Sequence, residues 1–242
     1  MIKNFFKSVF YAIFPKNFTC DICGEETFDG NNLCEKCKPT VKFNNGVTCP
    51  VCGRKNVISE ICMECKALAP QFDKAYSPLI YGDGSSALIG KFKKGSGYLK
   101  DYFCDLMIQG VKSFPEFDFI TYIPVTKKTK YKRGYNQARL LARELSKRLN
   151  VKVIDDVLIK LHDTEEQKGL SKRKRLENLK GCFRVHKRKE CKGKRILLVD
   201  DILTTGATAD EACKLLRGAK AKKIYFITVA SVEYKPEREI IL

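Results

Sequence analysis

The amino-acid sequence predicts an α/β domain, with a mostly parallel sheet flanked by helices, preceded by a small cysteine-rich module. Two observations lead to this prediction. Eight of the 12 cysteines form four Cys-x-x-Cys pairs near the start of the chain, and strand-like and helix-like segments alternate after Pro70. Such alternation is typical of βαβ units and therefore of a parallel sheet. With 242 residues, of which 44% are hydrophobic, the chain has room for a small domain and a medium one.

The first 18 residues are predicted to be a separate amphipathic segment. Lys7 interrupts the apolar run and Pro15 ends it without a small-residue cleavage site, which argues against a secretory signal. We expect the segment to dock against the protein, and contact with a membrane surface or a partner stays open. No run of about 18 apolar residues occurs, so we expect a cytoplasmic protein without a membrane-spanning helix. The apolar residues at helical spacing are Phe6, Phe10, Ile13 and Phe14.

The cysteine pairs within residues 19–69 predict a double zinc ribbon. Two thiolates separated by two residues turn toward one tetrahedral ion, and two such knuckles complete a four-cysteine zinc site. The pattern repeats after about 29 residues, from Cys20 to Cys49. A disulfide framework is disfavoured because the cytosol keeps thiols reduced. The predicted ligands of two structural Zn²⁺ ions are Cys20, Cys23, Cys34 and Cys37 in one site and Cys49, Cys52, Cys62 and Cys65 in the other.

A cross-braced pairing of alternate knuckles is the second arrangement that the spacing allows. In either arrangement each half contains few large apolar side chains, so zinc is expected to supply the missing stability. The remaining cysteines lack ligand spacing and are expected to be buried or bystander thiols; they are Cys104, Cys182, Cys191 and Cys213.

Residues 70–242 predict the α/β domain element by element. The predicted strands are residues 75–81, 119–125, 151–154, 195–199 and 224–230. One short predicted helix begins at residue 85, and the other predicted helices cover residues 98–111, 134–149 and 206–216. Residues 196–199 are apolar without alternation, which is typical of a parallel strand buried on both faces. The last two strands and the helix between them form a βαβ unit.

The candidate binding site follows this buried strand. Two acids stand at its carboxyl end, where open α/β sheets bind ligands. A hydroxyl-rich loop then opens a helix whose first amide groups and dipole favour an anion. Carboxylates for vicinal hydroxyls beside a phosphate cradle fit a phosphorylated sugar, and no Walker loop occurs. The predicted binding residues are Asp200, Asp201, Thr204, Thr205, Gly206, Ala207 and Thr208.

This stretch, residues 196–208, resembles the 5-phosphoribosyl-1-diphosphate (PRPP) motif of type I phosphoribosyltransferases. The resemblance implies that Asp200 and Asp201 bind the ribose hydroxyls and that residues 204–208 surround the 5-phosphate. Pyrophosphate needs Mg²⁺ and cationic side chains, so PRPP is expected to bind with Mg²⁺. The cations predicted on the pyrophosphate side are Lys127, Lys128 and Arg133, in a lysine-rich segment over residues 127–132 that is expected to be a loop.

A second set of motifs resembles the ComF family over about residues 20–232. That family joins a zinc module to a phosphoribosyltransferase domain, and members take part in DNA uptake during natural transformation. A loop over residues 163–178, with Gln167, Lys172 and Arg175, is expected to close over the site. The matching residues are Ile123-Pro124-Val125, Lys132-Arg133-Gly134-Tyr135-Asn136-Gln137-Ala138, Thr164, Gln167, Gly169, Leu170, Ser171, Arg175, Asn178 and Phe183.

Positive charge is concentrated between Val125 and Arg195, which contain 24 lysines and arginines but 8 acids, within a net charge of +18. This concentration predicts an acidic partner, nucleic acid or a polyphosphate. With the family resemblance, it implies a PRPP-binding protein that handles single-stranded DNA, with DNA-uptake machinery such as a helicase as a partner. The alternative is an active phosphoribosyltransferase of nucleobase salvage. No catalytic residue stands out, because neither His162 nor His186 has a catalytic context.

Overall fold

The computed structural model describes residues 19–27, 32–162 and 181–233. The strands are β1 (Lys74–Tyr76), β2 (Leu79–Ile80), β3 (Phe119–Tyr122), β4 (Leu158–Lys160), β5 (Phe183–Val185), β6 (Arg195–Val199), β7 (Ile202–Leu203), β8 (Lys223–Ile227) and β9 (Ala230–Ser231). The helices are α1 (Met63–Leu68), α2 (Asp83–Lys93), α3 (Leu99–Val111), α4 (Lys127–Arg133), α5 (Gln137–Leu149), α6 (Arg188–Cys191) and α7 (Ala207–Gly218), and a 3₁₀ turn covers Lys38–Thr40. No helix in these ranges is long and apolar enough to cross a membrane.

The central sheet has four parallel strands in the order β1–β8–β6–β3. A second parallel sheet, β2–β9–β7, continues beyond the carboxyl ends of the first, and β4 pairs with β5 antiparallel. The predicted α/β fold with a mostly parallel sheet is therefore confirmed. The segment predicted as a strand over residues 151–154 forms one bridge, between Val153 and Ile120, instead of a full strand.

Two predicted elements differ in the structure. The strand expected over residues 75–81 is interrupted at Pro78, which has no N–H for a ladder hydrogen bond. The lysine-rich stretch expected as a loop is helix α4, and Gly134 ends it with a φ of +80°. Helix α5 then begins at its own cap, because the side chain of Asn136 accepts a hydrogen bond from the N–H of Arg139 at 3.2 Å.

The core lies on both faces of the central sheet. Helices α2, α3 and α5 cover one face, where Phe92, Phe103 and Leu141 are fully buried against Leu197. Helix α7 and the second ribbon, the one that contains Cys49 to Cys65, cover the other face. Each fully buried side chain of this size contributes about 1.5–3 kcal/mol. The four cysteines without ligand spacing are buried, as predicted: Cys104, Cys182, Cys191 and Cys213.

The cysteine-rich module packs directly against the α/β domain. In the second ribbon, the carbonyl oxygen of Val51 accepts a hydrogen bond from the N–H of Ala75 in β1 at 2.7 Å. Gly53 has a φ of +67°, and a Cβ there would stand 2.4 Å from the carbonyl oxygen of Ala75. In the first ribbon, Thr40 packs against Gly84 of α2, where a Cβ would stand 2.3 Å from the Thr40 Oγ1. Glycine therefore permits both contacts.

We predict that Gly53→Ala destabilises the protein more than Gly24→Ala does. Gly24 follows the equivalent knuckle of the first ribbon with a φ of +79°, and nothing lies within 4 Å of a Cβ there. Both substitutions carry a positive-φ cost of about 1–2 kcal/mol, and Gly53→Ala adds a backbone clash of about 1–3 kcal/mol. Urea unfolding of the zinc-loaded variants measures the difference. Equal losses would contradict the contact between Gly53 and β1.

Candidate functional site

The parallel register brings the carboxyl ends of the central strands to one edge. Val199, the last residue of β6, lies opposite Tyr122 of β3 and Ile227 of β8. The segments that leave β3 and β6 therefore start side by side. The β6 segment carries the two predicted acids, and the β3 segment leads into the lysine-rich helix α4.

The two acids are joined to each other and to a lysine of α2. Asp200 Oδ1 accepts a hydrogen bond from the N–H of Asp201 at 2.8 Å, and Asp201 Oδ2 pairs with Lys93 Nζ at 2.9 Å. Burial, followed by the negative charge of Asp201, raises the pKa of Asp200 to about 8. A cation or a hydroxyl donor is therefore favoured here. No sequence motif points to Lys93, since nothing distinguishes it from Lys91 and Lys94 nearby.

The loop after β7 leads into the N-terminus of helix α7, and residues 204–208 form the predicted phosphate loop. Gly206 occupies the N-cap position with a φ of +81° and has no side chain to cap the first turn. The Thr205 hydroxyl lies 3.4 Å from the N–H of Ala207, and Thr204 is exposed. With Thr208 half-buried on the first turn, amide and hydroxyl donors surround the helix start. The structure thus brings the predicted residues 200–208 together at one strand end.

The predicted pyrophosphate cations lie on the same edge of the sheet. Lys127 and Lys128 are exposed in the first turn of α4, whose N-cap Thr126 accepts a hydrogen bond from Thr129. Arg133 is half-buried at the helix end, 3.4 Å from the side-chain oxygen of Gln137. Among the described residues, no ion pair joins these cations to the acids. Gln167, Lys172, Arg175 and the rest of the predicted closing loop lie outside the described residues, as does the amphipathic segment 1–18.

The eight predicted zinc ligands form two groups of four. Within each group, all Sγ atoms lie within 4.8 Å of one another. The Sγ–Sγ distances are 3.7 Å for Cys23 and Cys34 and 3.8 Å for Cys52 and Cys62. A tetrahedral zinc ion with Zn–S bonds of about 2.3 Å requires Sγ–Sγ distances of about 3.8 Å, so the donors fit the ion. The knuckles pair in chain order, and the cross-braced arrangement does not occur. The groups are Cys20, Cys23, Cys34 and Cys37, and Cys49, Cys52, Cys62 and Cys65.

The second cysteine group is the more deeply buried. All four of its members are buried, whereas Cys23 of the first group is exposed. A hydrogen bond from Cys65 lowers the pKa of Cys52 to about 5, whereas burial raises the pKa of Cys62 to about 11. The N–H of Cys62 donates to Cys49 Sγ at 3.4 Å, which stabilises negative charge on that sulfur.

Arg54 connects the second cysteine group to the phosphate loop. It lies two residues after Cys52 and has only 6% of its surface exposed. Its guanidinium pairs with the carboxylate of Glu64 and donates a hydrogen bond to the carbonyl oxygen of Thr204. The ribbon therefore holds the loop through a buried cation. Nothing in the sequence signals this contact, which joins residues 150 positions apart.

Of the basic side chains between Val125 and Arg195, some are paired with an acid and others are exposed. Arg139 and Arg143 both bind the carboxylate of Asp155, which also accepts a hydrogen bond from the Tyr122 hydroxyl. Burial opposes ionisation of Asp155, but the hydrogen bonds from both arginines keep its pKa well below the usual range. On α4, by contrast, four lysines are exposed and Tyr131 has 93% of its surface exposed. Exposed positive charge beside an exposed aromatic ring suits a single-stranded polyanion.

Two family models match this architecture. The phosphoribosyl transferase domain model matches residues 135–240, and the double zinc ribbon domain model matches residues 9–66. Together with the strand-end acids and the cysteine groups, these matches define a protein with a phosphoribosyltransferase fold and a double zinc ribbon.

Similarity to individual proteins identifies the family within that class. The chain is 31% identical over 218 residues to competence protein F of Haemophilus influenzae, an alignment that covers 86% of this chain and 94% of that protein. It is 29% identical over 208 residues to competence protein ComFC of Bacillus subtilis, with 81% and 83% coverage. It is 27% identical over 205 residues to the DNA utilization protein YhgH of Escherichia coli, an alignment that covers 80% of this chain and 88% of that protein. The chain belongs to the ComF family, as its motifs predicted.

The raised pKa of Asp200 predicts that the ligand-free protein loses stability as the pH rises. The folded protein retains a proton at Asp200 that the unfolded chain releases near pH 4, so the free energy of unfolding falls between about pH 4 and pH 8. Asp200→Asn removes this titration, so its free energy of unfolding is expected to stay nearly constant over this range and to exceed that of the wild type at pH 8. Urea unfolding at pH 5 and pH 8 measures the free energy of unfolding of each protein. Asp156→Asn, at an exposed position, is the control; a variant of Asp200 that unfolds as readily as wild type at pH 8 would contradict the prediction.

Proposed function

We propose that this protein binds PRPP with Mg²⁺ and handles single-stranded DNA during DNA uptake. The observation that carries the proposal is the shared strand edge, where two acids and an anion-binding helix start stand beside an exposed basic helix. The names of the relatives, competence proteins and DNA utilization proteins, support the DNA role. DNA-uptake machinery such as a helicase is the expected protein partner, and the cytoplasm is the expected compartment.

In the proposed PRPP complex each group of the site has one task. Asp200 and Asp201 accept hydrogen bonds from the ribose hydroxyls, and Lys93 orients Asp201. The amide and hydroxyl donors of residues 204–208 bind the 5-phosphate. Lys127, Lys128 and Arg133 face the pyrophosphate, where a bound Mg²⁺ would neutralise further negative charge.

The proposed domain organisation follows the same division of tasks. Residues 19–69 form the double zinc ribbon, residues 70–242 form the phosphoribosyltransferase-like domain, and residues 1–18 are a separate segment. Both zinc ions are structural, because each site would use four cysteine thiolates and leave no open position for a reactant. Through Arg54, zinc in the second ribbon also supports the phosphate loop.

One observation favours a second function, an active phosphoribosyltransferase of nucleobase salvage. The phosphoribosyl transferase model matches the segment that contains the acids and the loop. Such an enzyme releases pyrophosphate from PRPP with one particular base. A screen of pyrophosphate release across nucleobases separates this function from PRPP binding alone.

We predict that replacing both acids abolishes PRPP binding. The double substitution Asp200→Asn with Asp201→Asn removes the acceptors for the ribose hydroxyls, so PRPP affinity is expected to fall by at least about 100-fold. Isothermal titration calorimetry in Mg²⁺ measures the loss, and circular dichroism checks the fold. Single-strand binding by the same variant is expected to persist. Unchanged PRPP affinity would overturn the assignment of this loop.

We predict two zinc ions per chain, with different consequences for the two sites. Cys23→Ser and Cys52→Ser are each expected to lose one zinc ion. Only Cys52→Ser is expected to weaken PRPP binding, by about tenfold, because Arg54 then no longer holds the carbonyl of Thr204. Metal analysis gives the zinc content and calorimetry gives the affinity. Equal PRPP affinities in the two variants would contradict the coupling.

We predict that helix α4 binds single-stranded DNA. The double substitution Lys130→Ala with Lys132→Ala should reduce the slope of log affinity against log salt by about 0.7 for each phosphate that the variant no longer binds. Tyr131→Ala should weaken binding by about tenfold at every salt concentration, because it removes a stacking surface.

A matched double substitution, Lys36→Ala with Lys66→Ala in the two ribbons, serves as the control. Fluorescence anisotropy with a labelled oligonucleotide at several salt concentrations provides the measurement. If the wild-type protein binds no single strand at low salt, the DNA function is wrong and the transferase function remains.

A further inference from the structure

A pocket lies between the second zinc ribbon and the start of helix α7, next to the phosphate loop. Its volume is about 170 Å³. A cavity of about 150 Å³ with apolar walls holds one benzene ring, so this pocket has room for one ring-sized group. Its walls include Leu68 at the end of the ribbon, Pro70 and Phe72 just after it, and Leu203 and Ala207 on the opposite side.

The pocket also has polar groups at its border, the carboxylates of Glu64 and Asp210 and the guanidinium of Arg54, which pairs with Glu64. The Arg54 Nε is fully buried and offers no donor to an occupant. A flat apolar ring with N–H groups at its edge would fill the apolar walls and donate a hydrogen bond to the Asp210 carboxylate. Nucleobases have this combination, because each has a π face and N–H or NH₂ donors.

The position of the pocket relative to the acids indicates how such a base would be attached. Thr205, Gly206 and Ala207 border the pocket, whereas Asp200 and Asp201 do not. Asp201 instead pairs with Lys93 of α2, and α2 lies on the other face of the sheet. A phosphate on the loop thus has the sugar-binding acids on one side and the pocket on the other.

With this arrangement, a phosphodiester can use the pocket and a phosphate monoester cannot. The 5-phosphate of PRPP carries a single sugar, so PRPP leaves the pocket without an occupant. A phosphodiester carries a second nucleoside, whose base can reach the far side of the loop. The pocket therefore fits a polynucleotide better than it fits PRPP.

We propose that this pocket binds one base of single-stranded DNA, with the adjoining phosphodiester on the loop formed by residues 204–208. The inference rests on the proposed single-strand function and specifies where one nucleotide is held. Because the same loop would bind the 5-phosphate, PRPP and the DNA strand compete for it.

The test compares a thymidine oligonucleotide of about eight nucleotides with an oligonucleotide of the same length that has abasic sites. Wild-type protein is expected to bind the thymidine strand about 100-fold more tightly, about tenfold of this from the pocket and about tenfold from stacking on Tyr131. Leu68→Trp fills the pocket and should remove the tenfold share of the pocket, leaving the share of Tyr131. Met63→Trp is the matched control, since Met63 begins the same short helix, is exposed and does not line the pocket. Zinc content and PRPP affinity, unchanged in both variants, show that they are folded.

Two measurements on the wild-type protein keep the proposal falsifiable even if Leu68→Trp fails to fold. PRPP with Mg²⁺ should displace the thymidine strand competitively, and the abasic comparison needs no variant. Equal affinity for both strands, or binding that PRPP does not displace, would overturn the pocket assignment and leave the single-strand function standing. Absence of binding to either strand at low salt would instead overturn the single-strand function itself.

Discussion

The buried guanidinium of Arg54 is the contact on which the candidate site depends. A buried cation is costly unless its partners are present, and here Glu64 and the carbonyl oxygen of Thr204 supply them. One partner belongs to the zinc ribbon and the other to the phosphate loop. The ribbon and the loop are therefore stable in one relative position. Zinc, by ordering the knuckle that carries Arg54, would also order the loop that is proposed to bind phosphate.

The electrostatics of the site follow from a division of charge along one edge of the sheet. Asp155 neutralises Arg139 and Arg143 near the end of β3, so these arginines contribute less to the basic surface than the sequence suggests. The exposed lysines of α4 remain available at the same edge as the acids. In the proposed complex, the two acids would favour the hydroxyls of the ligand, and the exposed positive charges would favour its phosphates.

Residues close together in the sequence made much of the candidate site predictable. The four cysteine pairs form the two groups that their spacing predicts, through local turns. Residues 200–208 lie together at the strand end, and their binding of PRPP stays a prediction. Lys93 and Arg54 were missed because their partners, Asp201 and Thr204, are distant in the sequence and lysine and arginine are abundant throughout this chain. No spacing rule connects such residues. Only the packing of α2 and of the second ribbon against the sheet brings them to the loop.

The sequence by itself determined the fold class, the cysteine groups and the acid-to-helix loop, because hydrophobic periodicity and short-range spacing encode each of them locally. It did not determine where every element would begin and end. Pro78 divides the first strand, and helix α4 stands where a lysine-rich loop was expected. Tertiary packing also determined which of the two possible pairings of the knuckles occurs, and it forms the pocket beside α7. These last two features depend on contacts between segments far apart in the chain, and such contacts form only when the ribbon, the helices and the sheet pack together.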